Sequence, residues 1–165
     1  MSKAYKTHEN FLDTAFFVDL KNRILHHDFA WRRRDGMTDD PDDKMYFVHS
    51  FYGDMKINSE FYTPYIIPIL RRLKAKAPIQ ARTNLFVSGL FKKSGWHTDQ
   101  DFNCKTAILY LNDCDGGTEL KINNKIVFIK ANANKMLTFD TLIQHRVVTS
   151  KEEPRRFVVN LNYFQ

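Results

Sequence analysis

The chain has 165 residues, 43% of them apolar and 14% aromatic, and a formal charge of +6 at pH 7. This composition excludes a disordered chain and suits one domain with a hydrophobic core, and no apolar run nears the roughly 20 residues that span a bilayer. The charge permits a phosphate-rich partner without requiring one, because WRRR at 31–34 and RRLKAK at 71–76 read first as solvated faces.

The opening MSKAYKTHENFLD lacks the apolar centre of a secretory signal, so a cytoplasmic location is expected. Residues 9–28, ENFLDTAFFVDLKNRILHHD, carry Phe17, Leu20 and Ile24 at helical spacing and predict an amphipathic helix closed by His26 and His27. RRRDGMTDDPDDK, 32–44, carries turn residues and charge and reads as an exposed loop. MYFVHSFY, 45–52, predicts a strand on which His49 shares a face with Phe47 and Phe51 and packs with them. A second helix is predicted over 59–76, with Ser59 as N-cap, kinked or delayed by Pro64 and Pro68.

From about residue 79 the texture changes to short β-rich runs at 81–87, 105–111, 118–122, 125–129, 135–140, 145–149 and 156–164. Turn signals such as NDCDGG and INNK separate them, and Gly116 and Gly117 belong to such a turn rather than to a phosphate loop. The expected class is α+β: a helical front end followed by an antiparallel sandwich or barrel. No repeat, low-complexity run or long linker divides the chain. It is therefore expected to be one domain, with 1–80 a helical support region containing one or two strands and 81–165 the core. Cys104 and Cys114 are too few for a disulfide framework, lack zinc-site spacing, and are expected to be reduced and packed.

The chemistry concentrates in SGWHTDQDFNCKTAILYLND, 94–113. If His97 and Asp99 lie on a strand, both point to one side. Two ligands hold a transition metal poorly, and TFDTLIQHRVVTS supplies a third, His145. Two His and one carboxylate on one face leave the opposite coordination positions open, the arrangement used by non-haem Fe(II) oxygenases. Asp101, four residues after His97, is a weaker alternative carboxylate, and Trp96 either packs or lines the entrance. In the last strand, Phe157, Val159, Leu161 and Tyr163 form one face, and Arg156, Val158, Asn160 and Asn162 the other. If that second face lines a lumen, Arg156 needs an anionic partner, and a small dicarboxylate fits its fork.

The order H-x-D, then His, then Arg in the final strand resembles the Fe(II)/2-oxoglutarate-dependent dioxygenases. TAILYLND, DGGTELKI and MLTFDTLIQHRV match the surrounding pieces, so the resemblance covers about 81–165. The front half, with NFLD, FVHSFY, INSEFY and IPILRRL, is similar to small prolyl-hydroxylase-like oxygenases of marine phage and environmental sequences.

The resemblance implies a double-stranded β-helix, or jelly roll, with N-terminal helices on the sheet. It implies iron on His97, Asp99 and His145, and Arg156 on the distal carboxylate of 2-oxoglutarate. The adjacent Arg155 faces the other way, and Arg156 sits in the register that agrees with the family pattern. Tyr110 matches the place of a tyrosine hydroxyl that binds the same carboxylate in prolyl hydroxylases; a core aromatic is the alternative. Asn160 orients cosubstrate or water, or makes a structural hydrogen bond. Asn84 is a candidate contact to cosubstrate or substrate.

The expected activity is hydroxylation of a C–H bond, first of a prolyl side chain in a protein or peptide. It would use O₂ and 2-oxoglutarate with Fe(II), release succinate and CO₂, and take ascorbate as reductant. Oxidation of a nucleobase or nucleotide is the second reading, and a non-catalytic jelly-roll binding module the third. Nucleic acid is not the favoured partner, and no membrane is expected.

Overall fold

The computed structural model describes residues 4–41 and 44–165. Strand β1 (Tyr5–His8) leads into helix α1 (Thr14–Ile24). The helix starts where the Asp13 carboxylate accepts from the backbone N–H groups of Ala15 and Phe16, at 3.0 and 3.4 Å. Those donors have no partner within the first turn, so the cap sets the boundary. The helix buries Phe17, Leu20 and Ile24 as their spacing predicts, but it stops short of His26 and His27, which stand exposed.

Three strands follow: β2 (Arg32–Arg34), β3 (Tyr46–Gly53) and β4 (Lys56–Ile57). β2 arises inside the segment expected to be a loop, and its three arginines are exposed. Residues 42 and 43 of that segment, like 1–3 of the opening segment, lie outside the described residues. The helix predicted over 59–76 divides into a π-helical turn (Tyr62–Ile66) and a short α2 (Ile67–Arg72). Pro68 has no N–H for an α-type bond, and the preceding turn closes with the Ile67 N–H donating to the Tyr62 carbonyl.

The remaining strands are β5 (Ala77–Val87), β6 (Lys105–Tyr110), β7 (Gly117–Ile122), β8 (Lys125–Lys130), β9 (Met136–Asp140), β10 (His145–Val148) and β11 (Arg155–Phe164). All are bounded within a residue of their predicted limits except β5, which begins four residues earlier. Among the described residues the large antiparallel sheet has the order β1-β9-β6-β11-β5-β3-β2, with β4 paired to β3, and the small one the order β10-β7-β8. The front part thus contributes β1 to β4 as well as helices, more than the one or two strands expected of it.

Strand alternation sorts the large sheet into two faces. Phe157, Val159 and Leu161 of β11, with Ala107 and Leu109 of β6, pack against Leu20, Ile24, Ile66 and Ile69 of the helical layer. Val158, Ile108, Tyr110 and Phe86 point the other way, toward Leu120, Ile129 and Val147 of the small sheet. The result is a jelly roll with helices outside the large sheet and a second interior between the sheets. A Cβ on Gly117 would lie 2.1 Å from the Ile129 carbonyl oxygen, and one on Gly116 2.7 Å from that of Val148. This glycine pair therefore serves close backbone approach at the entry to β7 as well as the turn.

Candidate metal centre

His97 and His145 meet through their backbones, each N–H donating to the other's carbonyl, at 3.0 and 2.9 Å. His145 opens β10, which is held in register by β7. His97 belongs to no regular strand and has only this isolated bridge. The expected strand alternation is therefore not what aligns His97 with Asp99. The chain bends at Asp99, and side-chain partners on β11 turn its carboxylate inward.

The ligand-type atoms of His97, Asp99 and His145 lie within 4.8 Å of one another. His145 Nε2 stands 3.7 Å from Asp99 Oδ1, and the two imidazole centroids are 4.4 Å apart. Each Nδ1 faces a carbonyl oxygen two residues upstream, that of Gly95 at 3.1 Å and that of Ile143 at 3.3 Å. A carbonyl only accepts, so Nδ1 carries the proton and the Nε2 lone pair is free for a metal.

Asp99 Oδ2 accepts from the amides of Asn160 and Asn162, at 3.1 and 3.0 Å. Oδ1 faces His145 and, at 3.5 Å, the Arg82 guanidinium. The carboxylate is 1% exposed. Burial would raise its pKa, but His145, Arg82, the Asn162 amide and His97 outweigh that and hold it at about 2. Burial takes the His145 imidazole down to about 4 against the opposing pull of Asp99. Near neutral pH the pair is a carboxylate beside a neutral imidazole, the protonation states that bind metal.

The His145 shift has a sign that can be checked on metal-free protein. Unfolded, this His takes a proton at about 6.5; folded, it resists until about 4. The unfolded state therefore binds more protons across that window, and stability falls as pH drops through it, by on the order of 3 kcal/mol. Urea denaturation at pH 7.5 and pH 4.5 is expected to show this loss, much reduced in His145→Gln. An equal loss in the variant would assign the effect to another group.

Behind these residues lies a small cavity that opens to solvent. Arg82, Asn84 and Phe86 of β5 and Arg156, Val158 and Asn160 of β11 line it. They are ladder partners, Phe86 opposite Arg156, Asn84 opposite Val158 and Arg82 opposite Asn160. Arg156 is 2% exposed. It donates from one terminal nitrogen to Thr118 Oγ1 at 3.1 Å, and the Tyr110 hydroxyl donates to the same oxygen at 2.9 Å. Its guanidinium lies over the Phe86 and Tyr110 rings, 5.2 and 5.4 Å from their centroids. Among the described residues no carboxylate pairs with it, and its Nε and second terminal nitrogen have no partner. A buried cation left this way is costly unless an anion completes it.

No protein-family model matches the chain, and no curated protein matches it. Solved structures do. An oxidoreductase of the 2OG-Fe(II) oxygenase family from Burkholderia pseudomallei aligns with a TM-score of 0.78 over 98% of this chain and 85% of its own, at 11% identity. The fold is that of the 2OG-Fe(II) oxygenases. A Trichoplax adhaerens prolyl hydroxylase in complex with a hypoxia inducible factor peptide fragment shares this oxygenase fold, with a TM-score of 0.68, 16% identity and coverage of 99% and 84%. So does the viral collagen prolyl hydroxylase of Paramecium Bursaria Chlorella virus-1, with a TM-score of 0.64, 15% identity and coverage of 98% and 96%.

The other residues singled out by sequence take the following positions. Arg155 is exposed at the start of β11 while Arg156 is buried. Tyr110 is fully buried beneath Arg156. Asn160 makes the hydrogen bond to Asp99 and also lines the cavity, leaving its Oδ1 without a partner, as is the Oδ1 of Asn84. Asp101 is exposed and stands outside the cluster. Trp96 is half-buried, with Lys121 and Arg146 over its ring at 4.6 and 4.3 Å. His49 has both ring nitrogens engaged, at 2.8 Å to the Ala30 carbonyl and to Ser59 Oγ. Cys104 and Cys114 are free and buried. Among the described residues no helix is long and apolar enough to cross a membrane.

Three residues of the site escaped the sequence reading. Arg82 and Asn162 carried a usable signal, since each is two residues from a candidate already named, Asn84 and Asn160, on the same strand face. Thr118 carried none, because its role depends on the small sheet meeting the large one.

Proposed function

We propose that this protein is an Fe(II)- and 2-oxoglutarate-dependent oxygenase that hydroxylates a C–H bond, with a prolyl side chain of a protein or peptide the first substrate class to test. One observation carries the reading. Two imidazoles with free Nε2 atoms and an ionised carboxylate converge at one end of a cavity, whose other end holds a buried guanidinium with unpartnered donors. That donor set suits Fe(II), and the distance-separated anion site suits a diacid whose other end chelates the metal.

In this reading His97 and His145 bind through Nε2 and Asp99 through Oδ1. Asn160 and Asn162 keep Oδ2 occupied, so Asp99 offers a single oxygen to the metal. Three protein ligands leave room for cosubstrate and O₂. Arg156 grips the distal carboxylate, with Thr118 and the Tyr110 hydroxyl completing the cradle, and Asn84 offers an amide beside it. Bound Fe(II) and 2-oxoglutarate supply the oxidation, in which O₂ converts C–H to C–OH and the oxo acid to succinate and CO₂. Residues 81–165 carry this chemistry on the support of 1–80. The solved prolyl hydroxylases of the same fold, one bound to a peptide, support the choice of first substrate.

The test is succinate release from 2-oxoglutarate with Fe(II), O₂ and ascorbate, alone and with proline-containing peptides read by mass spectrometry. Iron-dependent succinate is expected, together with a peptide product heavier by one oxygen atom. Absence of succinate under all iron conditions would leave a binding module. Succinate without any altered peptide would retain the oxygenase and remove the prolyl assignment.

A further inference from the structure

We propose that Arg82 reserves the mouth of the cavity for a substrate that carries a carboxylate beside the C–H bond to be oxidised; this rests on the oxygenase reading above. The cavity holds two guanidiniums, and they serve different ends. Arg82 faces Asn160 across the ladder, four residues along β11 from Arg156, which is about 13 Å of strand. Arg156 turns to Thr118 in the interior, whereas Arg82 turns to Asp99 and is 22% exposed, so it looks toward the opening.

Arg82 is not the main anchor that positions the Asp99 carboxylate. The two asparagine amides already fix Oδ2, and the contact from Arg82 to Oδ1 is long, at 3.5 Å. Its Nε is buried and has no partner.

Charge balance says what completes it. In the loaded site Asp99 and doubly charged 2-oxoglutarate oppose Fe(II), Arg156 and Arg82, which leaves one positive charge in excess. An excess charge in a largely buried site is costly, and a substrate carboxylate removes it while matching the guanidinium fork. An internal prolyl residue of a peptide brings no such charge. The C-terminal residue of a peptide, or an N-acylated amino acid, does, because its carboxylate has no ammonium beside it.

The test uses protein loaded with Mn(II) in place of iron, with 2-oxoglutarate, melted in the presence of the N-acetyl derivatives of the proteinogenic L-amino acids and of the corresponding N-acetyl amides. At least one acid is expected to raise the midpoint by about 5 °C near saturation, with no comparable rise from its amide. In Arg82→Gln that acid–amide difference is expected to vanish, while the rise caused by 2-oxoglutarate alone persists. If no acid exceeds its amide, the inference fails and the oxygenase reading stands. If Arg82→Gln abolishes the response to 2-oxoglutarate itself, Arg82 serves the cosubstrate and the inference also fails. If 2-oxoglutarate does not stabilise the unaltered protein, both readings fall together.

Discussion

Asp99→Ala is expected to abolish divalent metal binding and to lower iron-dependent succinate formation by on the order of 10³-fold or more. The carboxylate is the one anionic member of the cluster, and without it two neutral imidazoles must hold a dication beside the positive Arg82. The same deletion strands the donors of Asn160 and Asn162, which now both point at Asp99 Oδ2, so some loss of stability accompanies it. Calorimetric titration with Mn(II) separates the two effects, because a destabilised but folded variant that still binds metal normally would remove Asp99 from the centre. Asp101→Ala supplies the control. Its side chain is exposed and outside the cluster, and metal affinity is expected to be unchanged.

Arg156→Met is expected to raise the apparent KM for 2-oxoglutarate by about 10²-fold or more, whereas Arg155→Met leaves it unchanged. Losing one member of a buried, hydrogen-bonded charge pair costs about 3–5 kcal/mol, and each 1.4 kcal/mol is about tenfold in affinity. The folded protein without ligand should respond in the opposite sense. Arg156 is buried with two guanidinium nitrogens unpartnered, and burial pushes its pKa down. An apolar side chain of similar length relieves that cost, so the ligand-free variant is expected to melt no lower than the unaltered chain while losing its stabilisation by 2-oxoglutarate. A merely structural arginine would show the reverse, a lower midpoint and an unchanged KM. Equal effects at Arg155 and Arg156 would contradict the register in which Arg156 faces Phe86 across the cavity wall.

The strands were legible because period-two alternation is a local property. In β11 the faces Phe157, Val159, Leu161 and Tyr163 against Arg156, Val158, Asn160 and Asn162 divide in space as they divide on paper, the first toward the helices and the second toward the cavity. Helix limits were less so. The apolar stripe of α1 was visible, but its start depends on the Asp13 cap and its end on where burial stops. The second helix was mis-sized because Pro64 and Pro68 impose a π turn before a regular one. Strands β1 and β2 are short edge pieces, and edge pairing depends on a distant partner: Tyr5 lies opposite Phe139 and Arg32 opposite Val48.

By itself, then, the chain's order of residues determined which side chains are the candidates, His97, Asp99, His145 and Arg156, because residue type and order are written locally. It did not determine how they meet. His97 reaches His145 through an isolated backbone bridge, and Asp99 is aimed by two amides more than sixty residues away. Arg156 finds Thr118 on the opposite sheet, and Arg82 comes to rest beside Asp99 at the mouth. Those distances are products of sheet closure, in which burial of apolar faces chooses the neighbours and polar side chains then settle on whatever partners closure provides.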